Sequence, residues 1–328
     1  MLPTGTQLKQ IITQRGLTYG YHFTAAAEGK PTLLLLHGFP TPAYVWAKTI
    51  AFFEPLGFGI VAPDLLGYGG TDKPTDPKVY IGTGLAQDVV DILDAEKVES
   101  VIAVGHDWGS RIVSRMANYH PERLVACAFY GIGYSPPAQY YGPRVGQIQA
   151  TIGYNNIAYM EYFVEAGAHV TMEKNIDSFL ALLFPVDDET WREVMCNPGG
   201  AKAWIEGNKA GAVPSYMSAE EREYYREALL DGGLCAPLCW YKIFMDPSNA
   251  EDDAKAPEST VTLTKPVLFV AFNKDPIGVP LLGTEIHAEF VKPATNITNK
   301  EVDADHWAVL SHAEQLNGWL LEWIQALK

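Results

Sequence analysis

Residues 100–109 read Ser-Val-Ile-Ala-Val-Gly-His-Asp-Trp-Gly, and this stretch decides the fold. Its apolar run predicts a buried strand over Ser100–Gly105, and the periodicity of the following residues predicts a helix over Trp108–Tyr119. Gly105 and Gly109 flank the junction, where they relieve the crowding of a tight strand-to-helix turn. Such a turn projects its central side chain, Asp107, in the arrangement called a nucleophile elbow.

Asp107 restricts the chemistry that this turn can perform. Ser or Cys at the same place would attack ester or amide carbonyls, with which a carboxylate would form a reactive mixed anhydride. Against an electrophilic sp³ carbon, a carboxylate forms an ordinary alkyl ester, and water then hydrolyses that ester at the carboxyl carbon of Asp107. The turn therefore predicts two-step covalent catalysis on an epoxide or an alkyl halide. In an isolated Gly-x-Asp-x-Gly, however, the Asp could simply cap the following helix.

The rest of the chain predicts a parallel sheet covered by helices, because strand-like and helix-like patterns alternate over the first 130 residues. Further strands are predicted at Thr32–Leu36, Phe58–Ala62 and Leu124–Tyr130, and a further helix at Ile81–Asp94. The pattern resumes late in the chain, with strands at Pro266–Phe272 and Asn296–Val302 and helices at Thr284–Phe290 and Ala308–Ala326.

Between these two parts, the segment 134–245 lacks a buried strand pattern and is helix-like, rich in Tyr, Met and Glu. One of its helices begins at a capping box formed by Ser218 and Glu221, and it ends at a pair of glycines. We therefore predict one discontinuous α/β core, residues 1–133 and 246–328, interrupted by a helical cap (lid) at 134–245.

His306 is the predicted general base for the hydrolytic step. In a fold of this kind the partners follow the nucleophile along the chain as an acid and then a His. Among the histidines beyond the cap, His306 lies in a loop between the last predicted strand and the last helix, where such folds gather catalytic groups. His287 and His312 fall inside helix-like segments, and we expect both to be surface residues.

Asp275 is the predicted acid that orients the His306 ring and stabilises its charged form. The loop after the strand Leu124–Tyr130 has no carboxylate, whereas the loop after Pro266–Phe272 contains Asp275. Asp303 and Asp305 are closer along the chain, but sequence adjacency rarely gives the required geometry. An Asp-Pro turn is the alternative reading of this residue.

Two backbone amides are predicted to stabilise the oxyanion that forms during ester hydrolysis. One is the amide of Trp108, directly after the nucleophile, and the other is that of Phe39 in the loop His37-Gly38-Phe39-Pro40. An ordinary strand-to-loop turn would have the same local sequence.

Composition excludes several classes of function. The formal net charge of −15 argues against a nucleic-acid-binding surface, and no apolar run is long enough for a membrane span. The first ten residues lack the layout of a secretory signal. The four cysteines form neither a disulfide pattern nor a zinc motif, so we expect reduced thiols in a cytoplasmic protein. No motif for a metal or organic cofactor is present.

With these motifs in their order, the sequence resembles the soluble epoxide hydrolases of the α/β-hydrolase superfamily over nearly its whole length. The residues that carry the resemblance are HGFP at 37–40, GHDWG at 105–109, the Asp275 loop and the pair His306-Trp307. One departure is Asp305, since relatives commonly have Gly before the His. The resemblance implies a small apolar epoxide and water as substrates.

The resemblance also implies two tyrosines of the cap that donate hydrogen bonds to the epoxide oxygen. The segment Tyr159-Met160-Glu161-Tyr162-Phe163 looks like the first family motif and nominates Tyr159. The segment Leu238-Cys239-Trp240-Tyr241 looks like the second and nominates Tyr241. Because the chain has 17 tyrosines, either could instead be a packed cap residue.

Two alternative functions share parts of this constellation. A haloalkane or haloacid dehalogenase would use the same Asp107, and Trp108 would suit a halide, but position 39 is Phe rather than the Asn often found in such a halide site. A ligand receptor with an idle hydrolase fold would not need nucleophile, acid, base and oxyanion loop together. The natural epoxide, the stereochemical preference and the oligomeric state stay open.

Overall fold

The computed structural model describes residues 8–137 and 145–327. Its centre is one eight-stranded sheet with the strand order β1-β2-β4-β3-β5-β6-β7-β8. The strands are β1 Lys9–Ile12, β2 Thr18–Thr24, β3 Thr32–Leu36, β4 Gly59–Pro63, β5 Val101–His106, β6 Leu124–Tyr130, β7 Val267–Phe272 and β8 Ile297–Val302.

Strands β3 to β8 pair in parallel, whereas β1 pairs with β2 and β2 with β4 in antiparallel fashion. Every residue of β3, β4, β5 and β7 is buried. This burial explains their continuous apolar runs, because helices cover both faces of a parallel sheet. The predicted parallel sheet is confirmed, with strand ends within one residue of the predictions. The antiparallel pair at the N-terminal edge was not predicted.

The α-helices are numbered along the chain. They are α1 Ala47–Phe53, α2 Gly82–Ala95, α3 Trp108–Tyr119, α4 Val145–Ile152, α5 Met160–Phe163, α6 Ala168–Lys174, α7 Ile176–Leu183, α8 Gly200–Glu206, α9 Ala219–Gly232, α10 Cys239–Phe244, α11 Pro247–Asp253, α12 Glu258–Val261, α13 Pro280–Phe290, α14 Ala308–Ser311 and α15 Ala313–Ala326. Among the described residues, no helix is long and apolar enough to cross a membrane.

The chain between β6 and β7 is helical and contains no named strand among its described residues, with α4 to α12 in this interval. The capping box at the start of α9 is present, because the Ser218 hydroxyl accepts from the Glu221 amide and the Glu221 carboxylate accepts from the Ser218 amide. The cap boundaries at residues 134 and 245 stay a prediction, and residues 138–144 lie outside the described part.

Two helical predictions differ from the structure in detail, and one of them is the helix predicted over Thr284–Phe290, which begins four residues earlier, at Pro280. The helix predicted over Ala308–Ala326 is interrupted at His312, which separates α14 from α15. The helix α11, which directly follows the predicted cap and for which no helix was predicted, has two buried carboxylates, Asp252 and Asp253. Burial is tolerable here because these carboxylates are paired with cationic side chains, which offsets their loss of hydration.

Candidate active site

Asp107 occupies a strained turn between β5 and α3, with φ 53° and ψ −123°. Non-glycine residues rarely adopt positive φ, and such strain concentrates at functional sites. The backbone packs so closely here that a Cβ on Gly109 would lie 2.0 Å from the Leu36 carbonyl oxygen, and one on Gly105 would lie 2.6 Å from the Gly109 carbonyl carbon. Both flanking glycines are therefore required by the predicted elbow.

The carboxylate of Asp107 points toward the loop that follows β3. Its Oδ1 accepts a hydrogen bond of 2.8 Å from the Phe39 amide, and the Trp108 amide also donates to the carboxylate. Gly38 makes this approach possible, since a Cβ there would lie 2.3 Å from the Asp107 Cβ. Burial raises the pKa of Asp107, although His306 and the two amides act in the opposite direction. The amides predicted for an oxyanion hole thus converge on the nucleophile candidate.

His306 and Asp275 reach the same place from the carboxyl ends of β8 and β7. The His306 Nδ1 lies 2.6 Å from the Asp275 Oδ2. An ionised carboxylate can only accept, so Nδ1 donates and Nε2 is left to face Asp107, whose Oδ2 is 3.8 Å away. The amides of Ile277 and Gly278 donate to the other Asp275 oxygen at 2.8 and 2.9 Å and fix its orientation.

The electrostatics of His306 favour its charged form. Burial alone lowers the pKa of the imidazole, but the carboxylates of Asp275, Asp107 and Asp305 raise it, and the net effect is a pKa above the ordinary value. Burial also raises the pKa of Asp305, to about 6. Asp305, the carboxylate that departs from the family pattern, thus acts with Asp275 and Asp107 to raise the pKa of His306.

Two further residues hold His306 and were not anticipated. The His106 Nε2–H donates to the backbone carbonyl of His306 at 3.0 Å, and the two rings lie 4.5 Å apart. The Trp191 ring lies 4.8 Å from the His306 ring on another side. The position of His106 directly before Asp107 could have suggested it from the sequence. Nothing in the sequence distinguishes Trp191, because it comes from the helical segment far along the chain.

The prediction that His287 is a surface residue was wrong. His287 is only 1% exposed, and its Nε2 accepts a hydrogen bond of 2.9 Å from the Tyr134 amide. The helix α13 turns this residue toward the sheet, where it packs on Phe129 and Phe269. Burial lowers the pKa of His287 to about 3, so this ring is neutral. It lies outside the candidate site, as does the partly exposed His312.

Tyr159 and Tyr241 pack against each other, edge to face, in the wall of the site. Tyr159 directly precedes α5, Tyr241 lies in α10, and their rings are 5.7 Å apart. Both are buried, at 5% and 3% exposure. Burial raises the pKa of Tyr241 well above its usual range, and Tyr159 and Asp107 add to the effect. The Tyr241 hydroxyl therefore keeps its proton and can donate it in a hydrogen bond.

These groups line one pocket, which encloses about 240 Å³ of empty space. Its lining residues are Phe39, Asp107, Tyr159, Leu183, Trp191, Met195, Tyr241, Ile277 and His306. A wider cleft of about 830 Å³, part of it open to solvent, also reaches Asp107 and Tyr159. In the part of the chain that the structure describes, no cluster of three or more His, Cys, Asp or Glu side chains is arranged to hold a metal ion.

Comparison with known proteins identifies the family. A profile of the alpha/beta hydrolase fold matches residues 31–313, which is most of the chain. The chain belongs to the α/β-hydrolase fold family.

Several proteins that are similar to this α/β-hydrolase are named as epoxide hydrolases. Epoxide hydrolase A of Mycobacterium tuberculosis is 29% identical over 317 residues, with 93% of each chain covered. Bifunctional epoxide hydrolase 2 of Rattus norvegicus is 26% identical, and the present chain spans 53% of its length. Among solved structures, Epoxide Hydrolase A from Mycobacterium thermoresistibile superimposes with a TM-score of 0.81 at 27% identity, covering 98% and 99% of the two chains.

The α/β-hydrolase core brings together all seven residues nominated from the sequence. Asp107, Trp108, Phe39, Asp275 and His306 come from the carboxyl edge of the sheet, and Tyr159 and Tyr241 come from the helices above it. Their mutual placement agrees with the predicted constellation, while their catalytic roles stay predictions.

Proposed function

We propose that this α/β-hydrolase is an epoxide hydrolase, which adds water to epoxides to give vicinal diols through a covalent ester on Asp107. The observation that carries the proposal is the shared pocket, which is lined by the Asp107 carboxylate, by His306 with its partner Asp275 and by the side chains of two tyrosines. The relatives named as epoxide hydrolases support it. The substrate class is a small apolar epoxide, since Leu183, Met195 and Ile277 complete the pocket wall.

In the first step, a carboxylate oxygen of Asp107 attacks a ring carbon of the epoxide, and the bond from that carbon to the ring oxygen breaks. Tyr159 and Tyr241 hold the ring oxygen by hydrogen bonds and supply the proton that it takes up as it leaves. Positioned phenols lower this barrier because a free alkoxide is a poor leaving group. The product of the step is a hydroxyalkyl ester of Asp107.

In the second step, water attacks the carboxyl carbon of that ester. His306 accepts the proton of the water at Nε2, and Asp275 stabilises the imidazolium through the Nδ1 hydrogen bond. The negative charge that develops on the carboxyl oxygen is stabilised by the amides of Phe39 and Trp108. Collapse of the tetrahedral intermediate breaks the ester bond, and the departing diol oxygen takes up the proton from His306. The proton left on the Asp107 carboxyl group passes to the tyrosinate formed in the first step, which restores both side chains.

The test is to incubate the protein with a panel of epoxides and haloalkanes while diol and halide release are measured in parallel. We expect diol without halide, and loss of turnover by a factor of about 10⁴ or more in Asp107→Ala. In His306→Gln, mass spectrometry should detect an adduct on Asp107 equal in mass to the epoxide. Halide release in place of diol would replace the proposal with a dehalogenase, and ligand binding without any product would replace it with a receptor.

A further inference from the structure

The helical region between β6 and β7 places an aromatic ring directly beside His306. The ring centroids of Trp191 and His306 lie 4.8 Å apart, with 42° between the ring planes. Two rings that met edge to edge in one plane would lie farther apart, so the indole directs part of its π face at the imidazole. Trp191 is only 5% exposed, and both residues line the pocket that contains Asp107. The indole therefore packs against the ring that is proposed to act as the base.

The orientation of the Trp191 indole is fixed by a hydrogen bond. Its Nε1–H donates to the Leu182 carbonyl in the last turn of α7 at 2.7 Å. Carbonyl groups in the last turn of a helix lack a partner within that helix, so this bond satisfies one of them. The neighbouring Leu183 carbonyl accepts from the Trp307 Nε1–H at 2.6 Å. Because the Trp307 ring lies 5.3 Å from that of His306, the end of α7 holds two indoles that both lie beside this histidine.

The backbone that carries Trp191 forms a π-helical turn over Trp191–Met195. In this turn the Cys196 amide donates to the Trp191 carbonyl, five residues earlier. Such wide turns are rare and are often found at functional sites. The Met195 carbonyl at the end of the turn accepts from the Tyr159 amide at 2.9 Å. One turn of the chain therefore contacts both the proposed base and one of the two tyrosines.

The surroundings of His306 favour a positive charge on its ring. Asp275, Asp107 and Asp305 raise the pKa of His306, and burial opposes them. An aromatic face attracts a cation that lies within about 6 Å of the ring centroid, and Trp does so more strongly than Tyr or Phe. Trp191 can thus add to the stabilisation of the imidazolium without adding a charge. Besides the three carboxylates, the titratable groups that act on His306 or line a pocket with it are His106, Tyr159, Tyr241, Asp187, Asp188 and Lys274.

We propose that Trp191 is a positioning residue for the hydrolytic step, whose indole keeps the His306 ring directed at Asp107 and stabilises the imidazolium that forms when water attacks the ester. The inference rests on the proposed epoxide hydrolysis and adds a residue to its second step. The proton passes from the water to the His306 Nε2, and the indole exchanges neither protons nor electrons. Because ring opening does not use His306, Trp191 acts on ester hydrolysis and not on alkylation.

Rapid-quench kinetics over a range of pH test this role. Trp191→Leu keeps an apolar side chain in the pocket wall and removes the π face. Ester hydrolysis on its alkaline plateau should slow by about tenfold, and its acidic limb should move to lower pH by about one unit, because the imidazolium loses a favourable contact. Alkylation of Asp107 at saturating epoxide should stay within about threefold of the wild type, since the Met195 carbonyl that holds Tyr159 belongs to the backbone. Trp191→Phe, which has a weaker π face, should restore part of the rate and of the pH profile.

Trp204→Leu is the matched control. The Trp204 indole also donates to a carbonyl of α7, that of Ser178 at 3.1 Å, but Trp204 does not line the pocket with His306. This variant should lose thermal stability and keep the wild-type pH profile and the wild-type rates of both steps. An acidic limb that moves to higher pH in Trp191→Leu would show that the indole only excludes water, because burial lowers the pKa of His306. That result, or equal slowing of alkylation and hydrolysis, would overturn the inference.

A titration of the free protein separates this inference from the proposed function. NMR would follow the His306 ring, assigned by the loss of its signal in His306→Gln, in the wild type, Trp191→Leu and Trp204→Leu. The pKa of His306 should be lower by about one unit in Trp191→Leu alone. If it is, and no epoxide is turned over, the epoxide hydrolase proposal fails while the effect of Trp191 on His306 stands. If epoxides are hydrolysed and the pKa of His306 is the same in all three proteins, the role of Trp191 fails.

Discussion

The two regions that meet at Asp107 position their side chains by different means. At the carboxyl edge of the sheet, directional hydrogen bonds of 2.6 to 2.9 Å hold Asp107, His306 and Asp275. In the helical region above it, Tyr159 and Tyr241 pack edge-on against the same ring, that of Phe163, at 5.1 Å in each case. Tyr241 also packs on the ring of Phe39 at 4.9 Å.

The hydrogen-bonded region should tolerate substitutions less well than the aromatic region. A hydrogen-bonded group is fixed in direction, and removal of one partner leaves a buried polar atom unsatisfied at a cost of about 1–3 kcal/mol. Aromatic packing is less directional, and a Tyr-to-Phe change preserves most of it. We therefore expect changes at the sheet edge to affect every substrate, and changes in the helical region to depend on the leaving group.

A substitution in the hydrogen-bonded region at the sheet edge should have the largest effect on kcat. Asp275→Asn should lower kcat by a factor of about 10³–10⁴, because an amide neither fixes the Nδ1–H tautomer nor stabilises the imidazolium. Asp275 raises the pKa of His306, and the base form is lost as pH falls through that pKa, so the acidic limb of kcat should move to lower pH in the variant. The measurement is kcat between pH 5 and 9.

Asp303→Asn is the control for this change, since Asp303 is an exposed carboxylate in the loop before His306. It should retain the wild-type pH profile. An acidic limb that moves to higher pH in Asp275→Asn would contradict the assigned role of Asp275.

Substitutions of the two tyrosines in the aromatic region should have an intermediate effect, and only on the rate of epoxide ring opening. Tyr159→Phe and Tyr241→Phe should each slow alkylation of Asp107 by about tenfold, and the double variant by about 10²–10³-fold, because one donor partly compensates for the other. Rapid-quench measurement of the adduct follows this step directly.

Tyr162→Phe is the control, since Tyr162 lies in α5, three residues after Tyr159. In this variant Asp107 should be alkylated at the wild-type rate. A double variant that opens epoxides as fast as the wild type would place both tyrosines in the packing of the cap alone.

A smaller effect is expected where an aromatic ring supports the hydrogen-bonded region. His106→Phe keeps a ring beside His306 but removes the donor to its backbone carbonyl. Ester hydrolysis should slow by about tenfold or less, an amount consistent with loss of one hydrogen bond of about 1 kcal/mol, and alkylation should be unchanged. His287→Phe, at another buried His, is the control. Equal slowing of both steps in His106→Phe would indicate a general loss of structure.

The smallest effect on activity, and a distinct effect on stability, is expected at His287. Its folded-state pKa of about 3 lies below the unfolded value of about 6.5, so the unfolded chain binds more protons and stability falls as pH drops below 6.5. Between pH 7 and 5 this contributes about 2 kcal/mol to the loss of unfolding free energy.

His287→Gln keeps an acceptor for the Tyr134 amide and cannot titrate, so urea unfolding should show a loss smaller by about 2 kcal/mol over the same interval. Its kcat at pH 7 should stay within about twofold of the wild type. Identical pH dependence in the two proteins would exclude a buried neutral His287 in the folded state.

Short sequence patterns determined the strands of the sheet and the turn that carries Asp107. The runs Thr32–Leu36 and Leu124–Tyr130 are strands with the predicted bounds, because a strand that is covered on both faces is apolar, and every residue of the two except Val125 is buried. The elbow around Asp107 could also be recognised, since only glycine fits where the backbone of Gly109 approaches that of Leu36. Each of these features depends on residues that are close in sequence.

Only the tertiary structure decided which distant groups surround the site. Trp191 beside His306, the burial of His287 and the contact of Arg111 with the cleft all depend on how helices turn over the sheet. Amphipathic periodicity shows that a helix has a buried face but not what that face contacts, because packing joins residues as distant in sequence as Trp191 and His306. The candidate residues at the carboxyl edge of the sheet could therefore be predicted from the sequence, and the distant side chains that surround them could not.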